Sequence, residues 1–328
     1  MRAMTPTEPR EPLGAPSGEV VHTLEPSPCF GVDRLCFSAR HSGLWRSDDG
    51  GATWRPALAG SEVPHPVTTT SIAFSPRFAD DRTVFGGARG GVLRSRNAGA
   101  SWRVVALPSP PPLVSCLVTS PAFEEDGVVV AGTLEDGVLR SADRGETWRR
   151  WNFGLLDLSV LALAVSPGFA ADETLFAGTE TGLFLSENGG RSWRETPFPD
   201  EAAPVLALAV SPTLGEDRVV WAGTERSGVW RSSDPVRTWE RVDRGTITDP
   251  VNAIACSSDP ADAHVVLATL PEAAMISRDD GRSWTTAFAG PAASGGIASV
   301  VTPSGMAPGA RLLVGLRDGS VLRGILGV

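Results

Sequence analysis

Ser47-Asp48-Asp49-Gly50-Gly51-Ala52-Thr53-Trp54 is the first of six similar stretches in a chain of 328 residues. The other five begin at Ser95, Ser141, Ser186, Ser232 and Ser277, so successive copies are 48, 46, 45, 46 and 45 residues apart. We call each copy a box; its pattern is Ser-x-Asp/Asn-x-Gly-x-Ser/Thr-Trp, with Val236 in place of Gly in the fifth. A period this regular is typical of a repeat architecture, in which each supersecondary unit packs against the next.

Each box lies between two short apolar runs, which is the pattern of a β-hairpin. Asp or Asn accepts hydrogen bonds from the turn backbone, Gly allows a positive φ, and the Trp covers the hairpin. Burying one such ring contributes at most about 4–6 kcal/mol. Because a catalytic site is one asymmetric constellation and the box recurs, we interpret its residues as structural. They are Asp49, Trp54, Asn97, Trp102, Asp143, Trp148, Asn188, Trp193, Trp239, Asp279 and Trp284.

The box resembles the Asp box, or BNR repeat, of β-propellers in the WD40/YVTN/BNR-like superfamily. With runs such as Leu161–Pro167 (LALAVSP), Phe176–Thr179 (FAGT) and Gly182–Ser186 (GLFLS), the chain is most similar to the photosystem II assembly and stability factors. It is more distantly similar to sortilin-type and sialidase propellers. The resemblance implies the fold and a binding role, and it carries no catalytic residue across.

A second short motif, usually Ser-Pro and here called the Ser-Pro mark, follows the first strand of every repeat. The number of its copies predicts the number of blades. The mark occurs seven times, at Ser27, Ser75, Ser120, Ser166, Ser211, Ser257 (degenerate) and Thr302. We therefore predict an all-β protein, a single seven-bladed propeller of four-stranded antiparallel blades over residues 19–328. The seventh repeat has no box, so its blade is either incomplete or closed by residues 1–18. That Pro- and Glu-rich arm is interpreted as extended or disordered.

Composition excludes several classes of function. The net charge of −9 argues against nucleic-acid binding. The sialidase mechanism uses a Tyr nucleophile, and the chain has no Tyr. It also has no Lys, so a P-loop and a Schiff base are excluded. The four His show no metal-ligand spacing, and we expect neither a metal nor a cofactor.

No apolar run reaches the length of a membrane span, and the first residues show no apolar signal segment, so we expect a cytoplasmic protein.

The turns between the second and third strands supply one set of candidate binding residues, by analogy with other propellers. Basic residues are predicted over blades 7, 1 and 2, and acidic ones over blades 3 to 6. The candidates are Arg40, His41, Arg89, Glu135, Asp136, Glu180, Glu225, Arg226, Glu272, Arg317 and Asp318. Such segregated charge would orient a polar partner.

The linker between blades 3 and 4 supplies a second set. It is the most apolar of these connections, and it contains Arg149, Arg150, Trp151 and Phe153. Trp, Phe and Arg are enriched at the centres of protein interfaces. The alternative is that this linker folds over its own blades. Burial of Trp151 and Phe153 would exclude the interface.

The sequence therefore predicts a non-catalytic binding or assembly platform with a protein partner, as part of a larger complex. One alternative is a carbohydrate-active enzyme with a carboxylate pair at the central channel, for which two carboxyls about 5–9.5 Å apart are required. Another is a receptor that binds a small ligand at the channel mouth.

Overall fold

The computed structural model describes residues 19–59, 61, 63, 67–108, 110–291 and 294–327. Over these residues the strands form seven antiparallel sheets, six of four strands and one of three. Neighbouring strands in each sheet are consecutive in the chain, so every sheet is a meander. The predicted all-β seven-bladed β-propeller is confirmed.

The first three blades are complete. Their strands are β1 (Val21–Pro26), β2 (Cys36–Arg40), β3 (Gly43–Ser47) and β4 (Arg55–Pro56); β5 (Thr69–Phe74), β6 (Val84–Ala88), β7 (Gly91–Ser95) and β8 (Arg103–Ala106); and β9 (Val114–Thr119), β10 (Val129–Thr133), β11 (Val138–Ser141) and β12 (Arg149–Arg150).

The remaining blades follow the same order. Their strands are β13 (Val160–Val165), β14 (Leu175–Thr179), β15 (Leu183–Ser186) and β16 (Arg194–Glu195); β17 (Val205–Val210), β18 (Val220–Thr224), β19 (Val229–Asp234) and β20 (Thr238–Arg241); β21 (Ala253–Cys256), β22 (Val266–Thr269), β23 (Ala273–Ser277) and β24 (Thr285–Ala289); and β25 (Ile297–Val301), β26 (Arg311–Leu316) and β27 (Val321–Ile325).

A single turn of helix follows the first strand in blades 1 to 5, which the sequence patterns did not predict. In these turns the Ser of the Ser-Pro mark donates a hydrogen bond to an Asp six residues later, as from Ser166 to Asp172 at 2.6 Å. The first helical side chain, such as Phe169, is buried beneath the turn. The helices are α1 (Phe30–Asp33), α2 (Phe78–Asp81), α3 (Phe123–Asp126), α4 (Phe169–Asp172) and α5 (Leu214–Asp217), with 3₁₀ turns at Asp200–Ala202 and Pro260–Asp262.

The boxes form the turns between third and fourth strands, as predicted. In the first, the Gly51 amide donates to Ser47 Oγ at 2.9 Å, and the Asp49 carboxylate accepts from the Ala52 and Thr53 amides, each at 2.9 Å. Gly51 has a φ of 83°. The Trp rings of the second, third and fourth boxes are buried, and those of the others are partly buried. Except in the fifth copy, the box is thus a hydrogen-bonded turn closed by a ring.

The fifth box differs. Pro235 and Val236 replace its turn residues, and β19 extends to Asp234, which pairs with Thr238 of β20. The Asp234 amide donates to Ser232 Oγ at 3.0 Å. The Trp239 ring packs edge-on against Phe198 at 5.2 Å between centroids. A shorter hairpin turn therefore replaces the box geometry here.

Box glycines also pack against the preceding blade. A Cβ at Gly99 of blade 2 would overlap the ring of Phe37 in blade 1, and one at Gly145 would overlap the ring of Phe85. The same relationship holds between Gly281 and Trp221. At these three junctions Gly is required both for its positive φ and for the close approach of a ring.

The ring closes where β1 meets β25. The Leu24 amide donates to Ser299 Oγ at 3.1 Å, and the side chain of Val21 covers Gly315. In the described part of the chain, blade 7 has three strands. The predicted contribution of residues 1–18 to this blade lies outside the described residues. None of the described helices is long and apolar enough to cross a membrane.

Candidate functional site

The two ends of the blades carry different turns. The boxes lie beside the helical turns, as shown by the hydrogen bond of 2.9 Å from the Gly50 amide to the Arg34 carbonyl. The turns between second and third strands lie beside the linkers, as shown by the 2.9 Å bond from the Gly137 amide to the Leu158 carbonyl. We call the first side the lower face and the second the upper face.

Arg40 does not lie at the surface of the upper face, contrary to expectation. Its side chain is 2% exposed and its Nε donates to Ser38 Oγ at 3.0 Å. The guanidinium lies 4.8 Å from the centroid of Trp45 and 5.4 Å from that of Trp54. Burial lowers the pKa of Arg40 to about 10, and the charge of Glu19 partly opposes this. Arg40 is thus a packed residue of blade 1.

The other candidates of the upper face are exposed or partly exposed, but several are already paired. Arg226 lies 3.3 Å from Glu225, and Arg150 lies 2.8 Å from Asp136. The exposed candidates that form no ion pair with another described residue are His41, Arg89, Glu135, Glu180, Glu272 and Arg317, and Asp318 is exposed beside its own turn. Over blades 7, 1 and 2 the exposed basic candidates are therefore Arg317, His41 and Arg89, without Arg40.

The linker after β12 is held by backbone hydrogen bonds to two blades. The Trp151 amide donates to the Val138 carbonyl of blade 3 at 2.9 Å. Trp193 of blade 4 donates its amide to the Phe153 carbonyl at 2.8 Å and its Nε1 to the Trp151 carbonyl at 2.9 Å. A Cβ at Gly154 would overlap the carbonyl of Trp193. The linker is therefore fixed across the outer flank of blades 3 and 4.

The side chains of this linker divide into a buried and an exposed set. Leu155 is buried, and Trp151 is partly buried. Phe153 is 81% exposed, Leu156 78% and Leu158 38%. The other large apolar residues exposed in the described part of the chain are Val32, Val104 and Ile325, which are scattered singly. The linker thus presents a cluster of apolar side chains on a fixed backbone.

Trp151 lies between two arginines of neighbouring blades. Its ring centroid is 5.1 Å from Cζ of Arg140, on β11, and 5.8 Å from Cζ of Arg191, in the fourth box. Burial, followed by the charge of Arg191, lowers the pKa of Arg140. The sequence analysis named Arg149 and Trp151 but missed Arg140 and Arg191. Arg191 is the sixth residue of its box, a position that holds Glu146 in the third box and Arg in the fifth and sixth boxes, so a comparison of the boxes alone does not single it out.

The central channel is lined by the first strand of each blade. Among these seven strands, all of them described, Glu25 of β1 is the one carboxylate. Burial raises the pKa of Glu25 to about 8. Equivalent positions in the other first strands hold Ala or Val, for example Ala73 and Val118. The described residues contain no group of three or more His, Cys, Asp or Glu that could hold a metal ion.

The fold and these surfaces define the chain as a seven-bladed β-propeller. No protein-family model matches it, and no curated protein matches it. It is similar to the GH74 xyloglucanase of Xanthomonas campestris, with 17% identity and a TM-score of 0.72, over 96% of this chain and 53% of that one. The chain thus spans about half the length of that enzyme.

It is also similar to structures that it spans almost completely. YCF48 bound to D1 peptide is 15% identical with a TM-score of 0.65, over 98% of this chain and 99% of that one. YCF48 from Cyanidioschyzon merolae is 15% identical with a TM-score of 0.65, over 95% and 97%. At these identities the likeness shows the fold.

Proposed function

We propose that this protein is a non-catalytic binding or assembly platform that recognises a protein partner. The observation that carries the proposal is the exposure of Phe153 and Leu156 on a linker whose backbone is hydrogen-bonded to blades 3 and 4. Apolar side chains of this size, held in place before binding, are typical of interface centres, because little conformational entropy is lost on association. Burying each of them would contribute about 1.5–3 kcal/mol.

A solved propeller of matching length supports a peptide or protein as the ligand class. The YCF48 structure that this chain covers to 99% was determined with D1 peptide bound. We extend only the class of ligand to this chain. The exposed charges of the upper face, Arg89 and Arg317 among them, would orient such a partner during encounter.

The experiment is affinity purification from the native host, with quantitative mass spectrometry. The test variant is Phe153→Ser combined with Leu156→Ser. The matched control is Val32→Ser, which removes an apolar side chain that is 91% exposed on the lower face. We expect the partner to be lost from the linker variant and retained by the control. Equal recovery of every co-purifying protein with both variants would refute the role of the linker.

The alternative is a carbohydrate-active enzyme, and the likeness to the GH74 xyloglucanase favours it. Hydrolysis requires two carboxyls about 5–9.5 Å apart. The first strands contribute Glu25 alone, so the second carboxyl would have to come from a turn at a channel mouth. Release of reducing sugar from a panel of β-glucans, abolished by Glu25→Gln, would favour this alternative over the platform.

A further inference from the structure

At two junctions between neighbouring blades, an Arg of one blade forms an ion pair with the box of the next. The third strand places an Arg immediately before the box in blades 1, 2, 3 and 5. In blade 2 this residue is Arg94, which is 7% exposed and forms an ion pair with Glu146, the sixth residue of the next box. In blade 5, Arg231 lies 3.6 Å from Asp280, also of the next box. In blades 2 and 5 a carboxylate of the following blade thus pairs with this Arg, whereas Arg46 of blade 1 pairs with Asp48 of its own box at 2.6 Å.

The junction between blades 3 and 4 has an Arg at the place that Glu146 occupies in the preceding junction. Arg140 is the residue before the third box, and the sixth residue of the fourth box is Arg191. Arg191 is paired with Glu173 at 2.7 Å. Arg140 has no hydrogen bond or ion pair with any described residue, and its Nε is buried without an acceptor. The guanidinium of Arg140 therefore lies on Trp151 with no described carboxylate at ion-pair distance, and the charges of Asp126 and Glu173 act on it from further away.

The neighbouring Arg149 lacks a carboxylate for a similar reason. Four boxes are followed directly by Arg, and three of these arginines are paired: Arg55 with Asp48 at 2.9 Å, Arg103 with Glu146 at 3.6 Å, and Arg194 with Glu187 at 2.6 Å. Asp48 and Glu187 are the second residues of their boxes, where the third box has Ala142. Arg149 is exposed, forms no ion pair with a described residue, and is directly opposite Arg140 in the β11–β12 pair.

Two like charges face each other across this strand pair, although the protein carries a net charge of −9. Opposed like charges destabilise a sheet, so an external carboxylate would relieve the repulsion. The exposed Phe153 follows Arg149 in the same linker, and Trp151 lies between them in the chain. Cationic and apolar groups therefore occur together on the outer flank of blades 3 and 4.

We propose that this flank docks an acidic segment of a protein partner. The carboxylates of the segment take the places that Glu146 and Asp48 occupy at other blades, beside Arg140 and Arg149, and an apolar side chain of the segment covers Phe153 and Leu156. The inference rests on the platform function and names the chemistry of the partner. It requires no movement of the backbone, because the linker is already fixed.

The test begins with selection of phage-displayed random dodecapeptides on the immobilised full chain. Selected peptides are synthesised with a fluorescent label, and their affinity is measured by anisotropy at several salt concentrations. We expect enrichment of Asp and Glu next to Leu, Ile or Phe. We also expect binding to weaken by at least about tenfold in Arg149→Glu and in Phe153→Ser, because a desolvated pair and an apolar anchor are lost.

Two further variants supply the missing carboxylates from within the chain. Ala142→Asp reproduces the pairing of Asp48 with Arg55, and Arg191→Glu reproduces that of Glu146 with Arg94. Both should weaken peptide binding. Ala142→Asp should do so without lowering the melting temperature, which separates competition for the arginines from unfolding, whereas Arg191→Glu also removes the ion pair with Glu173. Arg55→Glu and Val32→Ser are the controls, because they change the equivalent strand position and an equally exposed apolar residue on blade 1.

Several results would overturn the docking site. Peptides that bind Arg149→Glu and Ala142→Asp as tightly as the wild type are bound elsewhere, so the platform function would stand and this site would fall. The same conclusion holds if no peptide is selected while the native partner still co-purifies. Selection of basic peptides would refute the charge assignment. Self-association by light scattering that is abolished by Phe153→Ser would assign the flank to a second copy of this chain.

Discussion

Gly99 of the second box lies against the ring of Phe37 in blade 1, so closely that a Cβ would overlap the ring. Its φ is +77°, which also disfavours a side chain. The ring of Phe37 is itself fixed by Trp102, edge-on at 5.6 Å between centroids, and by Phe74 at 5.8 Å. A single hydrogen atom at Gly99 thus allows the two blades to pack.

We therefore predict that Gly99→Ala destabilises the protein by about 2–4 kcal/mol, from the left-handed backbone and the forced shift of the ring. Urea denaturation followed by tryptophan fluorescence measures the change. Gly215→Ala is the control, because this helical Gly has nothing within 4 Å of a Cβ. It should be neutral or stabilising by a few tenths of a kcal/mol. Equal losses in the two variants would contradict the packing argument.

Trp148→Ala should destabilise more than Trp239→Ala. Trp148 is 6% exposed within an intact box, whereas Trp239 is partly exposed in the altered fifth box. Removal of a buried aromatic ring costs about 3–5 kcal/mol, and less where the site is open. Denaturation midpoints of the two variants at one pH and temperature provide the comparison. Indistinguishable midpoints would show that the intact box adds nothing to the burial of its Trp.

Arg40→Glu should be strongly destabilising, because it places a buried carboxylate near Glu19 and removes a cation from between Trp45 and Trp54. The expected loss is about 3–5 kcal/mol. Arg89→Glu, on the exposed turn of blade 2, is the matched control and should change stability by less than about 0.5 kcal/mol. Thermal unfolding of both variants is sufficient. A stable Arg40→Glu protein would mean that the side chain is free to leave its site.

Glu25 predicts a pH dependence whose sign can be worked out. Burial raises its pKa to about 8 from an ordinary value of 4.5, so between these values the folded chain binds more protons than the unfolded chain. The contribution of Glu25 to the free energy of unfolding therefore falls as pH rises through this range. Glu25→Gln should be more stable than the wild type at about pH 8 and similar at about pH 5. A stability difference that is the same at both pH values would refute the burial of a neutral carboxyl.

Much of the fold could be predicted from the spacing of two short motifs. The boxes predict the hairpins, and the Ser-Pro marks predict seven blades. The sequence patterns did not predict the hydrogen bond that the Ser of this motif donates to an Asp six residues later, as from Ser75 to Asp81. Such a bond is visible in sequence only when the repeats are aligned and the Asp is recognised as part of the motif.

The surfaces were harder to predict, because they depend on how neighbouring blades meet. Arg40 ends a strand beside a turn, which predicts exposure, but two Trp rings of its own blade enclose it. The exposure of Phe153 depends on hydrogen bonds from Trp193, which lies forty residues further along the chain. Arg140 forms no ion pair with a described residue, because the next box has Arg191 at the position where the third box has Glu146. These are relationships between repeats, and no single repeat contains them.

The contacts of the box glycines all run in the same direction around the propeller. Gly99, Gly145 and Gly281 each receive an aromatic ring from the blade before them in the chain. Loss of a second-strand ring, such as that of Phe85, would therefore remove the contact with the box of the following blade. Each such blade thus contacts its two neighbours through different elements, a second-strand ring on one side and a box glycine on the other, so the two neighbours are not equivalent.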